Sequence, residues 1–342
     1  ARAYLGHLGV KRRDLIKALA RDPSPDDALL AEILGMSPEE LNIVAKPPTQ
    51  LWRHFGFEAE QVAGVPYTQV LAHAPTFLST TGIGFQELID LVSTRFINAK
   101  DAIKLESASP DCDPEKVRIN GLDQNRLSSM VRFLRLRKRL GFSLFDLDRA
   151  LFTLGAKDLD TAVLRKLVEV RDLSKQLDRP VVEMLGLWAS LDTFGKDNLF
   201  DRLLRTRAVA WRSKDADTFK LQPNRLELAH TADRLDAVEP ALLAAFRMTS
   251  EELAQVRALY ARLAGTPPRL DLAGLSAVYR VAFLARALKM RIDQLDGLLR
   301  LVPDEANPFR VADPASTRRF VEIAHEVQVS DFTPDKLVYL YQ

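Results

Sequence analysis

The sequence predicts an all-α fold: an irregular array of helix pairs built from degenerate repeats, with one small β-hairpin near residues 103–119. Three observations carry this expectation. Glycine is scarce, 15 of 342 residues, or about 4% against a usual ~7%. Apolar residues recur at helical spacing through most of the chain. A short pattern of the kind that starts helices also returns along its length.

Helical periodicity is plain in residues 158–177. There Leu159, Val163, Leu167, Val170 and Leu177 alternate with Arg165, Lys166, Glu169 and Arg171. Residues 275–288 carry Val278, Val281, Ala282, Leu284, Ala285 and Leu288, a more apolar set that suits a more central helix. Breaker clusters separate such segments: Asp22-Pro23-Ser24-Pro25, Lys46-Pro47-Pro48, Ser109-Pro110, Gly195-Lys196-Asp197-Asn198, Gly265-Thr266-Pro267-Pro268 and Asn307-Pro308. Strand signals are confined to residues 103–105 and 117–119, which can pair as one hairpin, and residues 213–224 read as irregular. The length suits about two domains, expected as helical lobes over residues 1–106 and 107–342.

The recurring pattern is an apolar or large residue, four mostly polar residues, then Leu or a substitute. It occurs at Val10…Leu15, Met36…Leu41, Phe57…Val62, Ile83…Leu88, Phe142…Leu147, Met248…Leu253, Met290…Leu295 and Phe332…Leu337, with Arg179…Met184 as a degenerate copy. Its physical content is a helix start. Ser37, Ser143, Thr249 and Thr333 stand where a hydroxyl can accept from an orphan backbone N–H, each cap contributing roughly 1 kcal/mol. Pro38 and Pro334 suit the first helical position, and Glu40 and Glu252 are placed to complete capping boxes. The leading apolar residue can pack on the Leu one turn in.

Longer self-similarity agrees. Residues 71–88 align without gaps on 236–253, sharing Ala72/Ala237, Pro75/Pro240, Leu78/Leu243, Glu87/Glu252 and Leu88/Leu253. Residues 140–151 align on 288–299 through Leu140/Leu288, Leu147/Leu295, Asp148/Asp296 and Leu151/Leu299. The anchors fall at 15, 41, 62, 88, 147, 184, 253, 295 and 337, so only the last two intervals match, at 42. A regular solenoid would hold its period throughout.

Composition narrows the function classes. Lys+Arg number 48 against 46 Asp+Glu, a net charge of +2, which excludes a generally basic nucleic-acid surface. With 47% hydrophobic residues a sizeable core can form. The single cysteine, Cys112, excludes an internal disulfide framework and a Cys-rich zinc site. The longest uncharged run, residues 61–86, contains Pro66, Pro75, Gly64, Gly82 and Gly84 among many polar residues, so it does not read as a membrane span. The chain begins without Met at Ala1 and ends at Gln342 inside an apolar pattern, which reads as a piece of a longer protein with no targeting segment in view.

Chemistry-bearing motifs are sparse. His7, His54, His73, His230 and His325 are scattered and form no H-E-x-x-H. Asp111 and Asp113 flank Cys112 and would raise its pKa, which suits a turn better than a nucleophile. Gly82-Ile83-Gly84 lacks the third glycine and the strand of a dinucleotide fingerprint. Glu39-Glu40 and Glu251-Glu252 suit the first turns of helices, where the macrodipole favours negative charge. No catalytic, metal or cofactor site is expected.

One basic cluster stands out: Arg132, Arg135, Arg137, Lys138 and Arg139. On a helix Arg132, Arg135 and Arg139 share a face opposite Met130, Phe133, Leu134 and Leu140, while Arg137 falls within the apolar face. The three are either a solvated face or an interaction surface for acidic groups of a neighbouring chain or segment. Arg137 is expected to be paired with a carboxylate or to snorkel, because an unpaired buried charge costs several kcal/mol.

A series of motifs in order then resembles a known family. It runs from Tyr4-Leu5-Gly6-His7-Leu8-Gly9-Val10 through Leu51-Trp52, Pro75-Thr76-Phe77-Leu78, Thr81-Gly82-Ile83-Gly84-Phe85-Gln86-Glu87-Leu88 and Thr94-Arg95-Phe96-Ile97-Asn98. It continues with Cys112-Asp113, Arg132-Phe133, Leu140-Gly141-Phe142-Ser143, Phe145-Asp146-Leu147-Asp148, Leu187-Trp188 and Leu199-Phe200-Asp201-Arg202-Leu203. Phe219-Lys220-Leu221, Leu275-Ser276-Ala277-Val278-Tyr279 and Leu284-Ala285-Arg286-Ala287-Leu288 complete it. Together these resemble the large A component of bacterial Tc (toxin complex) insecticidal toxins, in the helical shell region related to virulence-plasmid A proteins. Arg137 departs from the resemblance, where an aromatic is expected.

The resemblance implies a non-enzymatic shell segment of a secreted or cell-surface toxin. In that family the A component is a homopentamer that binds target cells, forms a pore and translocates a toxic enzyme held by partner subunits. Expected partners are therefore other protomers and other toxin subunits, with no nucleic acid and no membrane insertion by this segment. The alternative is a helical-repeat adaptor holding a protein or peptide in a groove, and an enzyme stands behind both.

Overall fold

The repeated pattern is, in three dimensions, a corner between two helices. In the computed structural model, which describes residues 27–107, 114–213, 217–330, 332 and 334–341, a helix ends on a residue with left-handed backbone. The next residue, apolar, donates its N–H back five positions, and the one after it takes the N-cap position of the following helix. At Gly35-Met36-Ser37 the φ of Gly35 is 66° and Met36 N–H reaches Ala31 O at 2.8 Å. Gly141-Phe142-Ser143, Arg247-Met248-Thr249 and Lys289-Met290-Arg291 repeat the arrangement, with φ of 74°, 50° and 54° at the first residue. Their back-donated bonds run Phe142 to Arg137 O, Met248 to Leu243 O and Met290 to Ala285 O. These are Schellman closures, which satisfy carbonyls that the helix end would otherwise orphan.

The caps follow the sequence at Ser37, Ser143 and Thr249, which accept from the backbone N–H of Glu40, Asp146 and Glu252 at 3.1, 3.0 and 3.2 Å. Glu252 returns the bond to Thr249 N–H at 2.7 Å, completing its box. Glu40 does not complete one: both its carboxylate oxygens are taken by Arg139. Thr333, like Val10 and Leu15, lies outside the described residues. Leu41, Leu88, Leu147, Met184, Leu253 and Leu295 are buried, whereas Leu337 is half-buried and Phe332 exposed. Phe57…Val62 is a different element. Val62 belongs to a two-residue strand, Gln61–Val62, paired with Val65–Pro66 across Ala63 and Gly64, whose φ values of 51° and 79° close a tight hairpin.

The chain forms two compact units, Ala1–Val168 and Glu169–Gln342. This replaces the expected boundary at 106/107, and hydrogen bonding explains why. Residue 106 lies in the strand Lys104–Ser107, which pairs antiparallel with Val117–Asn120 in the register Lys104↔Asn120 to Ser107↔Val117. This is the hairpin expected near 103–119. Ile119 N–H also donates to Ala72 O at 2.7 Å, and Val117 and Ile119 turn inward, so the hairpin fastens both sides of residue 107 to the first unit. Residues 108–113, including Cys112, lie outside the described residues.

In the first unit the long helix Gln124–Leu140 is buried almost all round, by Leu127, Met130, Val131, Phe133, Leu134, Leu136 and Leu140. Pro38–Ala45, Leu51–Phe55 and Arg95–Asn98 pack on it, and Ala74–Thr81, Phe85–Val92 and Leu144–Thr153 are further short helices of the same unit. Trp52, Phe55, Tyr67 and Phe77 form an aromatic cluster with ring centroids 6.3–6.5 Å apart. The helix Thr161–Gln176 contains the division between the units. Leu159, Leu164, Leu167, Val170 and Leu173 are buried there, while Val163 and Leu177, expected on that face, are half-buried.

The second unit is organised by Leu272–Ala287, whose buried residues run from Gly274 to Ala285 apart from Arg280, as its apolar sequence predicts for a central helix. Tyr279 stacks on Phe283 at 5.4 Å and meets Phe246 at 6.3 Å. Gly186 lets that ring approach: a Cβ there would stand 2.5 Å from Tyr279 Cε1. Buried polar groups tie loops to this core. Trp188 Nε1 donates to Thr317 Oγ1 at 2.7 Å, and Leu191 N–H donates to Ser276 Oγ at 2.9 Å. Ser250–Ala264, Ile292–Leu301 and Pro314–Val329 complete the larger helices of this unit, and residues 217–235 are irregular with two bridges, Leu221↔Leu228 and Ala232↔Leu270. No helix among the described residues is long and apolar enough to cross a membrane.

Candidate functional site: two arginine clusters

The basic helix is built from its ends. Asp123 accepts from Arg126 N–H at 2.8 Å to start it, and Gly141 closes it. Between them the expected stripe of Arg132, Arg135 and Arg139 does not lie open to solvent as a unit. Arg132 is 2% exposed. Its Nε donates to Val44 O at 2.8 Å, Nη1 to Asp158 Oδ1 at 2.7 Å and Nη2 to Leu159 O. One guanidinium thus joins the end of Pro38–Ala45 to the segment that leads into Thr161–Gln176. Burying the charge is tolerable because carbonyls and a half-exposed carboxylate meet its donors.

Arg139 makes a two-pronged bond to Glu40, Nε to Oε1 at 2.9 Å and Nη2 to Oε2 at 2.6 Å. Arg137, predicted to be paired or snorkelling, donates to Glu87 Oε1 at 2.7 Å. Glu87 Oε2 meanwhile accepts from Gly84 N–H at 3.2 Å, so one carboxylate caps Phe85–Val92 and holds Arg137. The Arg137 hydrogen bond, helped by that backbone N–H, holds the Glu87 carboxyl below its ordinary pKa. Arg135 Nη2 lies 3.3 Å from His54 Nδ1. A guanidinium only donates, so Nδ1 accepts and the imidazole proton sits on Nε2. Burial, reinforced by Arg135, lowers the His54 pKa and favours that neutral form. Acidic partners for Arg132, Arg137 and Arg139 are thus supplied inside the first unit.

A second cluster, in the other unit, surrounds a cavity of about 490 Å³. Arg179 and Arg247 come from two helix corners, Glu183 from Val181–Leu185, Arg202 from Leu199–Leu204, and Tyr279 and Arg286 from Leu272–Ala287. Tyr279 donates its hydroxyl to Glu183 O at 2.9 Å. Burial pushes the Tyr279 phenol well above its ordinary pKa; Glu183 adds to this while Arg286, Arg202 and Arg179 oppose it. Burial also lowers the Arg286 pKa; Tyr279 and Glu183 oppose this, while the nearby Arg179 and Arg247 charges add to it. Arg202 stands 3.9 Å from Glu183, and Arg286 Nε donates to Ala282 O at 3.1 Å. Among the described residues Arg179, Arg247 and Arg286 have no carboxylate within ion-pairing distance.

No protein-family model matches the chain, and no curated protein matches it. Among solved structures it is similar to the cryo-EM structure of Morganella morganii TcdA4, with 20% identity and a TM-score of 0.48 over 65% of this chain and 10% of that one. It is also similar to Yersinia pseudotuberculosis TcaA-TcaB, with 13% identity and a TM-score of 0.40 over 88% of this chain and 16% of that one. The chain therefore spans a small fraction of the length of either.

The remaining sequence candidates are dispersed. His73 is held by Thr76 Oγ1 and Glu115 O, both at 3.2 Å. His230 and His325 are exposed, and His7 lies outside the described residues. Among the described residues no three His, Cys, Asp or Glu side chains are placed to hold a metal ion. The burial of Arg132 had a signal: Leu136, one turn on, and Val131 interrupt the basic face. The cavity of the second unit had none, because its arginines come from elements far apart in sequence.

Proposed function

We propose that this chain is a non-catalytic helical shell segment of the A component of a Tc-like toxin. The observation that carries the reading is the ordered set of motifs from Leu51-Trp52 to the 284–288 stretch, which resembles such components over nearly the whole described chain. The motif residues are also those on which the architecture depends. Leu51, Phe77, Leu88, Phe133, Leu147, Trp188, Phe200 and Val278 are all buried, and Gly141-Phe142-Ser143 is a corner. A resemblance concentrated in framework residues is what a shared scaffold leaves behind, and a scaffold function needs no reacting group.

On this reading the full-length protein assembles as a homopentamer, binds target cells and forms the pore through which partner subunits deliver a toxic enzyme. Electron microscopy of the full-length protein that carries this sequence tests it. The expected outcome is five-fold rings with a central channel and this segment in the outer wall. A monomeric product that holds an extended peptide would overturn the reading in favour of a helical-repeat adaptor.

A further inference from the structure

The arginines around the cavity of the second unit differ from those of the basic helix in one respect that bears on ligands. In the first unit Arg132, Arg137 and Arg139 each meet a carboxylate of their own unit. Around the cavity four guanidinium groups face one carboxylate, Glu183, leaving three positive charges in surplus. Glu183 itself reaches only Arg202, at 3.9 Å. All four guanidinium groups reach solvent, and Arg179 and Arg247 both act against the charge on Arg286, so an anion that enters meets accessible cations that repel one another. The space is of the size that encloses small ligands, and Leu203 and Phe283 supply an apolar wall.

We propose that this cavity binds a compact phosphate-bearing anion, a small-molecule diphosphate, whose oxygens are forked by Arg179, Arg247 and Arg286. Guanidinium groups match tetrahedral oxyanions two donors at a time. A diphosphate delivers two to three negative charges within a few ångströms, which equals the surplus, whereas a single carboxylate leaves most of it uncompensated. Leu203 and Phe283 then take an apolar group carried by the diphosphate. The Tyr279 hydroxyl is already committed to Glu183 O and fixes the floor without titrating. This site is independent of the toxin reading and stands or falls without it.

Titration calorimetry of the whole 342-residue chain with inorganic pyrophosphate tests the site, with sulfate and citrate as comparison anions. The expected result is one saturable site for pyrophosphate, at least about tenfold tighter than for either comparison anion, and about tenfold or more weaker in Arg179→Gln and Arg286→Gln. Arg247→Gly supplies the decisive variant. It removes a guanidinium while relieving a left-handed backbone at φ 50°, so it is expected to melt no lower than the wild type yet to bind about tenfold more weakly. Absence of saturation, equal affinity for citrate, or unchanged binding in folded Arg247→Gly would each overturn the proposal.

Discussion

The corners at residues 140–148 and 288–296, one in each unit, share a backbone and differ in the chemistry attached to it. Both follow a helix with a left-handed residue, an apolar residue and an N-cap position, filled by a capping hydroxyl at Ser143 but not at Arg291, and both place a fully buried Leu, 147 or 295, one turn into the next helix. The following aspartate diverges. Asp148 is 5% exposed and accepts from Phe96 N–H at 2.8 Å and from Arg95 at 3.4 Å. Asp296 lies nearer solvent and gathers two arginines, Arg262 and Arg300. The repeat therefore conveys a turn geometry, and each unit has put the adjoining carboxylate to a separate use: satisfying backbone inside the first, bracing two helices at the surface of the second.

The largest effects should fall where the corners agree. Leu147→Ala and Leu295→Ala are each expected to lose about 2–5 kcal/mol in denaturant melts, the range for fully buried leucines that leave a cavity. A near-neutral result at either would break the equivalence and remove that Leu as a core anchor. Where the corners differ, so should the costs. Asp148→Ala leaves the Phe96 N–H without its acceptor and should cost about 1–3 kcal/mol. Asp296→Ala releases half-exposed arginines and should cost about 1 kcal/mol or less, an amount that shrinks further in high salt. Equal losses would mean that the two carboxylates do the same work.

The closing residue offers a smaller contrast of opposite sign. Gly141 has φ 74° with open space where a Cβ would stand, so Gly141→Ala tests backbone strain alone and should lose about 1 kcal/mol. Lys289 bears the same conformation at φ 54° with a side chain, and Lys289→Gly should gain up to about 1 kcal/mol in the same melts. A loss at Lys289→Gly would show that its side chain contributes more than the left-handed backbone costs.

These corners were legible in the sequence because capping is local: the left-handed residue, the staple and the hydroxyl lie within a few positions, and their chemistry requires few alternatives. The hairpin near 103–119 was legible for the same reason. The unit boundary was not, since Ile119 bonds to Ala72 across 47 positions and no local feature announces it. Arg132 was misplaced because a helical wheel assumes one wet face, whereas Gln124–Leu140 is enclosed on nearly every side. Arg139 shows the same limit from its partner's side. Glu40 sits where a capping box would use it, and a guanidinium arriving from 99 positions away takes both oxygens instead.

The other aligned pair, Gly84…Glu87 and Thr249…Glu252, isolates that kind of interference. Both glutamates return a bond to the backbone N–H at the start of their helix, at 3.2 and 2.7 Å, but only Glu87 also receives an arginine, Arg137. Because the folded-state pKa of Glu87 lies below its ordinary value, the ionised carboxylate stabilises the fold. That contribution is complete above the ordinary glutamate range and disappears as pH falls through the lowered folded value. Glu87→Gln should therefore destabilise at neutral pH and converge on the wild type in acid. Arg137→Leu should behave in the same way if the ion pair is what matters. A rise in melting temperature on Arg137→Leu at neutral pH would instead mean that apolar packing at 137 outweighs the pair. The pairing with Glu87 would then be a tenant of that position and not the reason the corner holds.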